Sequence, residues 1–140
     1  MTRDEAKEFL NRGYRSRARI QAKRERIDSW QQIAESITAA IKPVAAFSSL
    51  PFKKVEDCAC NIVDLQSEIL DEINALTRAE AEIGRAIDQY VEDPTLKQVL
   101  ELRYLNYLKW EEIAVRMNLT FRWTMTLYKR ALETFSAKAR

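Results

Sequence analysis

Residues 110–132, WEEIAVRMNLTFRWTMTLYKRAL, predict two helices joined by a sharp corner. Ile113, Ala114 and Met117 would form the inward face of the short first helix, and the small Ala114 allows the second helix to cross closely. Asn118 lies at the corner, where a left-handed backbone is needed, and Asn tolerates that conformation better than any residue except Gly. Thr120 is a favoured N-cap for the next helix. This spacing is typical of a helix-turn-helix unit, whose second helix can enter a DNA major groove.

The second helix of this unit is expected to run from Phe121 to about Lys138 and to bury Thr124, Leu127 and Ala131 at helical spacing. Its remaining residues would face outward. Some suit base edges: an arginine can pair with guanine, a threonine with several bases, and Phe or Met with thymine methyl groups. Others suit phosphates, as lysine and arginine do. The predicted double-stranded DNA contacts are Thr120, Phe121, Arg122, Met125, Thr126, Lys129 and Arg130.

Upstream of this unit, Asp93-Pro94 marks the end of one helix and the start of another, because Asp is a good N-cap and Pro suits the first helical position. Residues 94–107 would form a support helix. Before them, apolar residues repeat at heptad-like spacing in two segments, separated by a connection from Lys42-Pro43 to Leu50-Pro51. The sequence therefore predicts an all-α fold: a long, coiled-coil-like antiparallel helical hairpin over residues 1–92, followed by a three-helix unit over residues 93–140.

The two heptad-like stripes set the expected core of the hairpin and its expected association. A hairpin buries only one stripe against its own partner helix, so apolar residues off the stripe need another surface. Leu10, Tyr14, Val63 and Leu70 are such residues, and a homodimer or higher homo-oligomer through the long helices is expected. The stripes are Ala6, Phe9, Gly13, Ile20, Ile27, Trp30, Ala34, Ile37 and Ile41, and then Val55, Ile62, Leu65, Ile69, Ile73, Leu76, Ile83, Ile87 and Tyr90.

Charge is distributed in blocks along the chain, although the net charge is only +2. Residues 1–26 carry nine basic against four acidic side chains, residues 51–96 carry four against eleven, and residues 97–140 carry nine against four. An antiparallel hairpin bent near residue 47 would set the basic run from Arg12 to Arg26 against acidic residues between Glu68 and Glu82. The run then forms salt bridges with the second helix, or it provides a second DNA contact.

Composition argues against several classes of function. The chain has no His and only two Gly, so a histidine base, a histidine zinc ligand and a glycine-rich phosphate loop are all absent. Cys58 and Cys60 form a Cys-x-Cys pair without a second half of a metal site. No catalytic residue, metal or cofactor is therefore predicted, and the chain is not expected to be an enzyme. Neither a membrane span nor a signal peptide is evident, which predicts a cytoplasmic protein.

The C-terminal third resembles region 4 of bacterial sigma-70 factors. The matching positions are Leu102, Arg103, Tyr104, Glu112, Ile113, Ala114, Leu127, Ala131 and Leu132. The fuller run LELRYL, WEEIA and RAL is similar to short phage and prophage proteins of the ArpU and RinA type, which regulate late transcription. The N-terminal AKEFLNRGYR, residues 6–15, also resembles the start of those proteins.

The resemblance implies a phage-type transcriptional regulator that binds promoter DNA in a bacterial host, with host RNA polymerase as a second candidate partner. Three positions depart from the family pattern: Lys109 replaces a capping Ser or Thr, Asn118 replaces the corner Gly, and Thr124 replaces a buried Val or Ile. The alternative is an oligomeric helical adaptor, such as the DNA-recognition subunit of a phage packaging machine. Separately, the exposed Phe121, Trp123 and Met125 on one helix would also suit a protein partner.

Overall fold

The computed structural model describes residues 1–40 and 50–139, and the regular structure within those ranges is entirely helical. The all-α prediction is confirmed. None of the described helices is both long enough and apolar enough to cross a membrane. The helices along these residues are α1 Arg3–Leu10, α2 Arg12–Ala40, α3 Leu50–Tyr90, α4 Pro94–Tyr104, α5 Trp110–Arg116 and α6 Phe121–Lys138.

The predicted connection between the two long helices lies mostly outside the described residues, as does Ile41 of the first stripe. Leu50 and Pro51, which were expected to close that connection, belong instead to the first turn of α3. A proline fits there because the first N–H groups of a helix have no partner within it.

Three helices begin at residues whose side chains accept a hydrogen bond from the first turn. Thr2 and Glu5 form a capping box at α1, in which each side chain accepts a hydrogen bond from the other residue's N–H, at 3.1 and 2.9 Å. The Asp93 carboxylate accepts from the Thr95 N–H at 2.8 Å, with Pro94 as the first residue of α4. Thr120 caps α6 in the same way. The predicted helix starts after Asp93 and Thr120 are confirmed.

The first predicted long helix is interrupted at Asn11, which separates α1 from α2. The Asn11 N–H donates to the Lys7 carbonyl at 2.9 Å, and the Asn11 carbonyl accepts from the Arg15 N–H at 3.1 Å. Both bonds join residues four positions apart, so the helical hydrogen-bond pattern is kept at Asn11 itself. Asn has a low helix propensity, and Gly13 follows two residues later, so regular helix is weakest at this point. The prediction of one unbroken helix here is wrong.

The described chain divides into two compact units, of which the first comprises Met1–Ser16 and Ala75–Arg140. Phe135 of α6 is fully buried in this unit, with the ring centroids of Phe9 and Tyr90 at 6.1 and 5.4 Å from its own. Leu10 and Tyr14, expected to need a surface outside the hairpin, pack within this core. The buried cluster comprises Ala6, Leu10, Ile83, Ala86, Ile87, Val91, Leu96, Val99, Leu100, Tyr104, Leu127, Ala131, Leu132, Phe135 and Ala139.

The second unit comprises Arg17–Asn74 and contains parts of α2 and α3. Its buried side chains include Ile20 of α2 and Cys58, Leu65 and Ile69 of α3. The expected burial of Ile73 is wrong, because that side chain is exposed. At about 100° per residue, Ile73 lies roughly 80° around the helix from Leu65, at the edge of the buried strip.

The expected division at residues 92 and 93 does not coincide with these two units. Helix α1 and the C-terminal part of α3 supply buried residues such as Leu10, Ile83 and Ile87 to the same cluster as α4 and α6. Because a compact unit is defined by its shared core, these segments group with residues 93–139.

Candidate nucleic-acid interface

The corner between α5 and α6 is built from backbone hydrogen bonds around Asn118. The Leu119 N–H donates to the Ala114 carbonyl at 2.9 Å, and the Asn118 N–H donates to the Val115 carbonyl at 3.1 Å. This pair of bonds is a Schellman motif, which requires a left-handed residue just after the helix. Asn118 has φ 55°, as predicted from its place at the corner. Ile113 and Ala114 are buried as expected, whereas Met117 is half-buried.

Helix α6 begins at this corner and carries most of the predicted contacts on its first turns. The Trp123 N–H donates to the Thr120 hydroxyl at 3.1 Å, and the Thr124 hydroxyl donates to the Thr120 carbonyl at 2.9 Å. Thr124 is therefore buried with its polar group satisfied, in a place where the family pattern has an aliphatic residue. Leu127 and Ala131 are buried beside it, as predicted.

The predicted contact residues differ in exposure. Arg122, Lys129 and Arg130 are exposed, and Phe121 keeps 49% of its surface accessible. Met125 and Thr126 are half-buried, and the Thr126 hydroxyl donates to the Arg122 carbonyl at 3.1 Å. The hydroxyl oxygen of Thr126 can still accept a hydrogen bond from a ligand.

Trp123 and Arg130 form a contact that the sequence reasoning missed. The guanidinium carbon of Arg130 lies 5.2 Å from the centroid of the Trp123 ring, which is within cation–π range. Trp123 nevertheless remains 43% exposed. The two residues are seven positions apart, so they lie on one strip of the helix two turns apart, and that spacing is readable in the sequence.

The charge on the outward face of α6 is mainly positive. Among the described residues Arg122 and Lys129 pair with no carboxylate, whereas Glu133, further along α6, pairs with Arg3 at 2.6 Å. On α5, Glu111 and Glu112 occupy the first turn, where the helix dipole favours negative charge. The Lys109 side chain forms no hydrogen bond to the start of α5. Val115 of the same helix is 77% exposed.

An arginine enclosed by aromatic rings supports the start of α5. The guanidinium carbon of Arg103 lies 5.2 Å from the Tyr14 ring centroid and 4.9 Å from that of Trp110, and Arg103 donates to the Leu108 carbonyl at 3.1 Å. The Trp110 ring lies 4.4 Å from the ring of Tyr128 on α6. Because Trp110 is the first residue of α5, these contacts hold the helix start that lacks a side-chain cap.

The Tyr104 and Tyr128 hydroxyls are hydrogen-bonded to each other between α4 and α6. Burial, and then the hydrogen bond with Tyr128, raise the pKa of Tyr104 above its usual range. The Tyr14 hydroxyl donates to the Arg103 carbonyl nearby. Hydrogen bonds of tyrosine side chains therefore connect the N-terminal segment, α4 and α6.

The loop after α4 is held by Tyr107, which has φ 59°. Its hydroxyl donates to a Glu80 carboxylate oxygen at 2.6 Å and lies directly against Gly13, where a Cβ atom would collide with it. The predicted end of the support helix at residue 107 is wrong, because α4 ends at Tyr104 and the left-handed backbone at Tyr107 does not continue a helix.

Part of the basic run from Arg12 to Arg26 forms ion pairs within the protein. In the first unit Arg12 pairs with Glu82, and its guanidinium holds the pKa of that carboxyl below the usual value. In the second unit Glu72 accepts from Arg19 at 3.0 Å and lies 3.9 Å from the Lys23 ammonium. These pairs agree with the salt-bridge interpretation at three of the positions in the run.

The described residues contain no cluster of three or more His, Cys, Asp or Glu side chains arranged to hold a metal ion. Comparison of the chain with protein families, with characterised proteins and with solved structures finds no match.

Proposed function

We propose that this protein is a DNA-binding transcription regulator of the phage type, with α5 and α6 as a helix-turn-helix and α6 as the recognition helix. The observation that carries the proposal is the left-handed Asn118 corner followed by the Thr120-capped start of α6. This combination presents the exposed Arg122 and the positive end of the helix dipole together. Both groups favour a polyanion such as double-stranded DNA.

The distribution of charge on α6 supports the same proposal. Arg122 and Lys129 lie on the side of the helix opposite the buried Thr124 and Leu127, since seven residues span almost two full turns. Arg122 is close enough to the helix start to reach a base edge when the first turns enter the major groove. Lys129, almost two turns further along the same strip, suits a backbone phosphate.

We further propose that residues 1–92 contain an antiparallel helical hairpin, as their heptad stripes indicate. The ion pairs of Glu72 with Arg19 and Lys23 support this arrangement, because they join residues whose numbers sum to 91 and 95, near the 94 expected for a bend at residue 47. On this proposal the helix-turn-helix, and not the hairpin, reads the bases. Host RNA polymerase remains a candidate partner of the exposed α5 surface around Val115.

The experiment that tests the proposal begins with selection of duplexes from a random pool. The enriched duplex and a scrambled one are then titrated by fluorescence anisotropy over a range of salt concentrations. Arg122→Ala should cost about 1–3 kcal/mol on the enriched duplex and relax preference at one base pair. Lys129→Ala should weaken binding to both duplexes and reduce the salt dependence by about one ion.

Arg85→Ala, an exposed arginine on α3, is the matched control and should leave both affinities unchanged. Arg24→Ala tests whether the basic run adds a second contact. If no duplex is enriched, or if Arg122→Ala leaves affinity and preference unchanged in a folded protein, the recognition role of α6 is wrong.

A second candidate function is the oligomeric adaptor of a packaging machine, favoured by apolar exposure on α3. Val63 and Leu70 are seven residues apart and expose 61% and 63% of their surface. Two large apolar side chains on one strip of a helix suit self-association. A ring-sized assembly in light scattering, with only weak and unspecific DNA binding, favours the adaptor. A dimer that binds one enriched duplex favours the regulator, and a monomer at micromolar concentration contradicts self-association.

A further inference from the structure

We infer that Trp123 and Arg130 together form a preassembled phosphate-binding pair that contacts one wall of the DNA groove. This inference rests on the proposed function and extends it to a residue outside the predicted contact set. The ligand chemistry is a phosphodiester of the duplex backbone, recognised by a guanidinium that an indole ring holds in place.

Trp123 and Arg130 lie to one side of the outward face of α6. At about 100° per residue, Arg122 and Lys129 point away from the buried strip centred on Thr124, and Trp123 and Arg130 lie roughly 70° to one side of that outward direction. A helix is about 10–12 Å across and the major groove is about 12 Å wide, so a docked helix turns its outward residues to the bases. Residues at its side then face a sugar–phosphate strand.

The contact of Arg130 with the Trp123 ring leaves the guanidinium donors available to a phosphate. The guanidinium carbon of Arg130 lies 5.2 Å from the Trp123 ring centroid, while both side chains remain exposed. An arginine against a ring face uses its π-surface there and keeps its in-plane N–H groups for other partners. Those groups match two phosphate oxygens in a bidentate pair. The ring therefore orients the guanidinium without consuming its donors.

Both side chains of the pair are exposed. A tryptophan that keeps 43% of its surface accessible gains little from burial in the core, and Arg130 forms no ion pair among the described residues. Glu133, three residues further along α6, is already paired with Arg3 and so does not neutralise Arg130. The pair is thus a positively charged surface whose free donors lie beside the groove-facing strip.

The pair is tested by anisotropy titrations on the enriched and the scrambled duplex. Arg130→Ala should weaken binding to both about tenfold near 0.1 M salt and lower the salt slope by about one ion. Trp123→Leu, which keeps the charge but removes the ring face, should weaken both about two- to fivefold, the range of a surface cation–π contact. The double variant should bind little worse than Arg130→Ala, because orientation has no value without the guanidinium.

Two conservative variants separate this role from simple charge attraction. Arg130→Lys keeps the positive charge but loses the planar fork of N–H donors, so it should resemble Arg130→Ala more than the wild type. Trp123→Phe keeps a smaller ring and should restore part of the affinity lost in Trp123→Leu. Wild-type affinity in folded Arg130→Lys and Trp123→Leu would overturn the inference.

A direct readout is fluorine NMR of protein labelled with 5-fluorotryptophan. The spectrum is simple because the chain has only three tryptophans. The resonance of Trp123, identified by its loss in Trp123→Phe, should shift on addition of either duplex, whereas the Trp110 resonance should move little. If the wild type binds DNA in an Arg122-dependent way but the Trp123 resonance stays in place, the pair is wrong and the proposed function stands. If the wild type binds no duplex, both fail.

Discussion

Gly13→Ala is expected to destabilise the protein, even though alanine is the better helix former. Gly13 lies in α2, where replacing glycine by alanine normally gains about 1 kcal/mol. Here the added Cβ would collide with the Tyr107 hydroxyl and lie 3.1 Å from both Cε1 and Cζ of that ring. The ring cannot withdraw freely, because its hydroxyl donates to Glu80 and its backbone is left-handed.

The magnitude follows from the two interactions that the clash affects. Overpacking of this kind costs about 1–3 kcal/mol, and weakening a hydrogen bond to a carboxylate costs about 1.5–3 kcal/mol at most. After subtraction of the helix-propensity gain, a net loss of about 1.5–5 kcal/mol is expected. For a chain of this length, at about 3 °C per kcal/mol, that corresponds to a fall in Tm of roughly 5–15 °C.

The assay is thermal and urea unfolding followed by circular dichroism, with Gly84→Ala as the matched control. Gly84 also lies inside a helix, α3, but a Cβ there would meet only Leu105 Cδ1 at 3.8 Å, an ordinary contact. Gly84→Ala should therefore stabilise by up to about 1 kcal/mol. In a Tyr107→Phe background, the cost of Gly13→Ala should shrink. Equal stabilisation by both alanines would refute the packing argument.

Three further outcomes are expected, at the Asn118 corner, at Tyr104 and in the core of the first unit. Asn118→Ala should lower stability by about 1–2 kcal/mol, because φ 55° strains a Cβ-bearing residue, whereas Asn118→Gly should be neutral or better in thermal unfolding. The pKa of Tyr104 is raised above its usual 10.0 in the folded protein. The stability that Tyr104 contributes is therefore fully present below about pH 10 and is lost as the pH rises further. Tyr104→Phe should flatten this alkaline fall in urea unfolding between about pH 8 and about pH 11. A fragment of residues 93–140 alone should lack a cooperative transition in calorimetry, because its core depends on Leu10 and Ile87.

Local signals in the sequence predicted the helix starts and the corner well. Thr120, Asp93 and Asn118 act through bonds to residues a few positions away, so their chemistry can be read without knowing the fold. The buried strip of α6 was equally readable, because Thr124, Leu127 and Ala131 follow helical spacing. Exposure of Arg122 and Lys129 then follows from the same periodicity.

Long-range contacts were not readable in the same way. Gly13 occupied a place on the apolar stripe, yet nothing nearby in the sequence indicates that Tyr107 packs against it. Arg103 was noted in the sequence only as a position of the resemblance, whereas the rings of Tyr14 and Trp110 lie over its guanidinium. Periodicity predicts which face of a helix is buried but not which segment packs on it. For the same reason, the segment that packs on Leu10 and Tyr14 could not be predicted.

The discontinuous core of the first unit has a consequence for biosynthesis. Ala6 and Leu10 leave the ribosome long before Leu132 and Phe135, which belong to the same buried cluster. Residues 17–74 therefore emerge completely while the N-terminal helix still lacks its neighbours. Closing so long a loop is slow compared with forming local helices, so this core can assemble only after Leu132 and Phe135 have emerged. Until then the apolar face of α1 is available to chaperones.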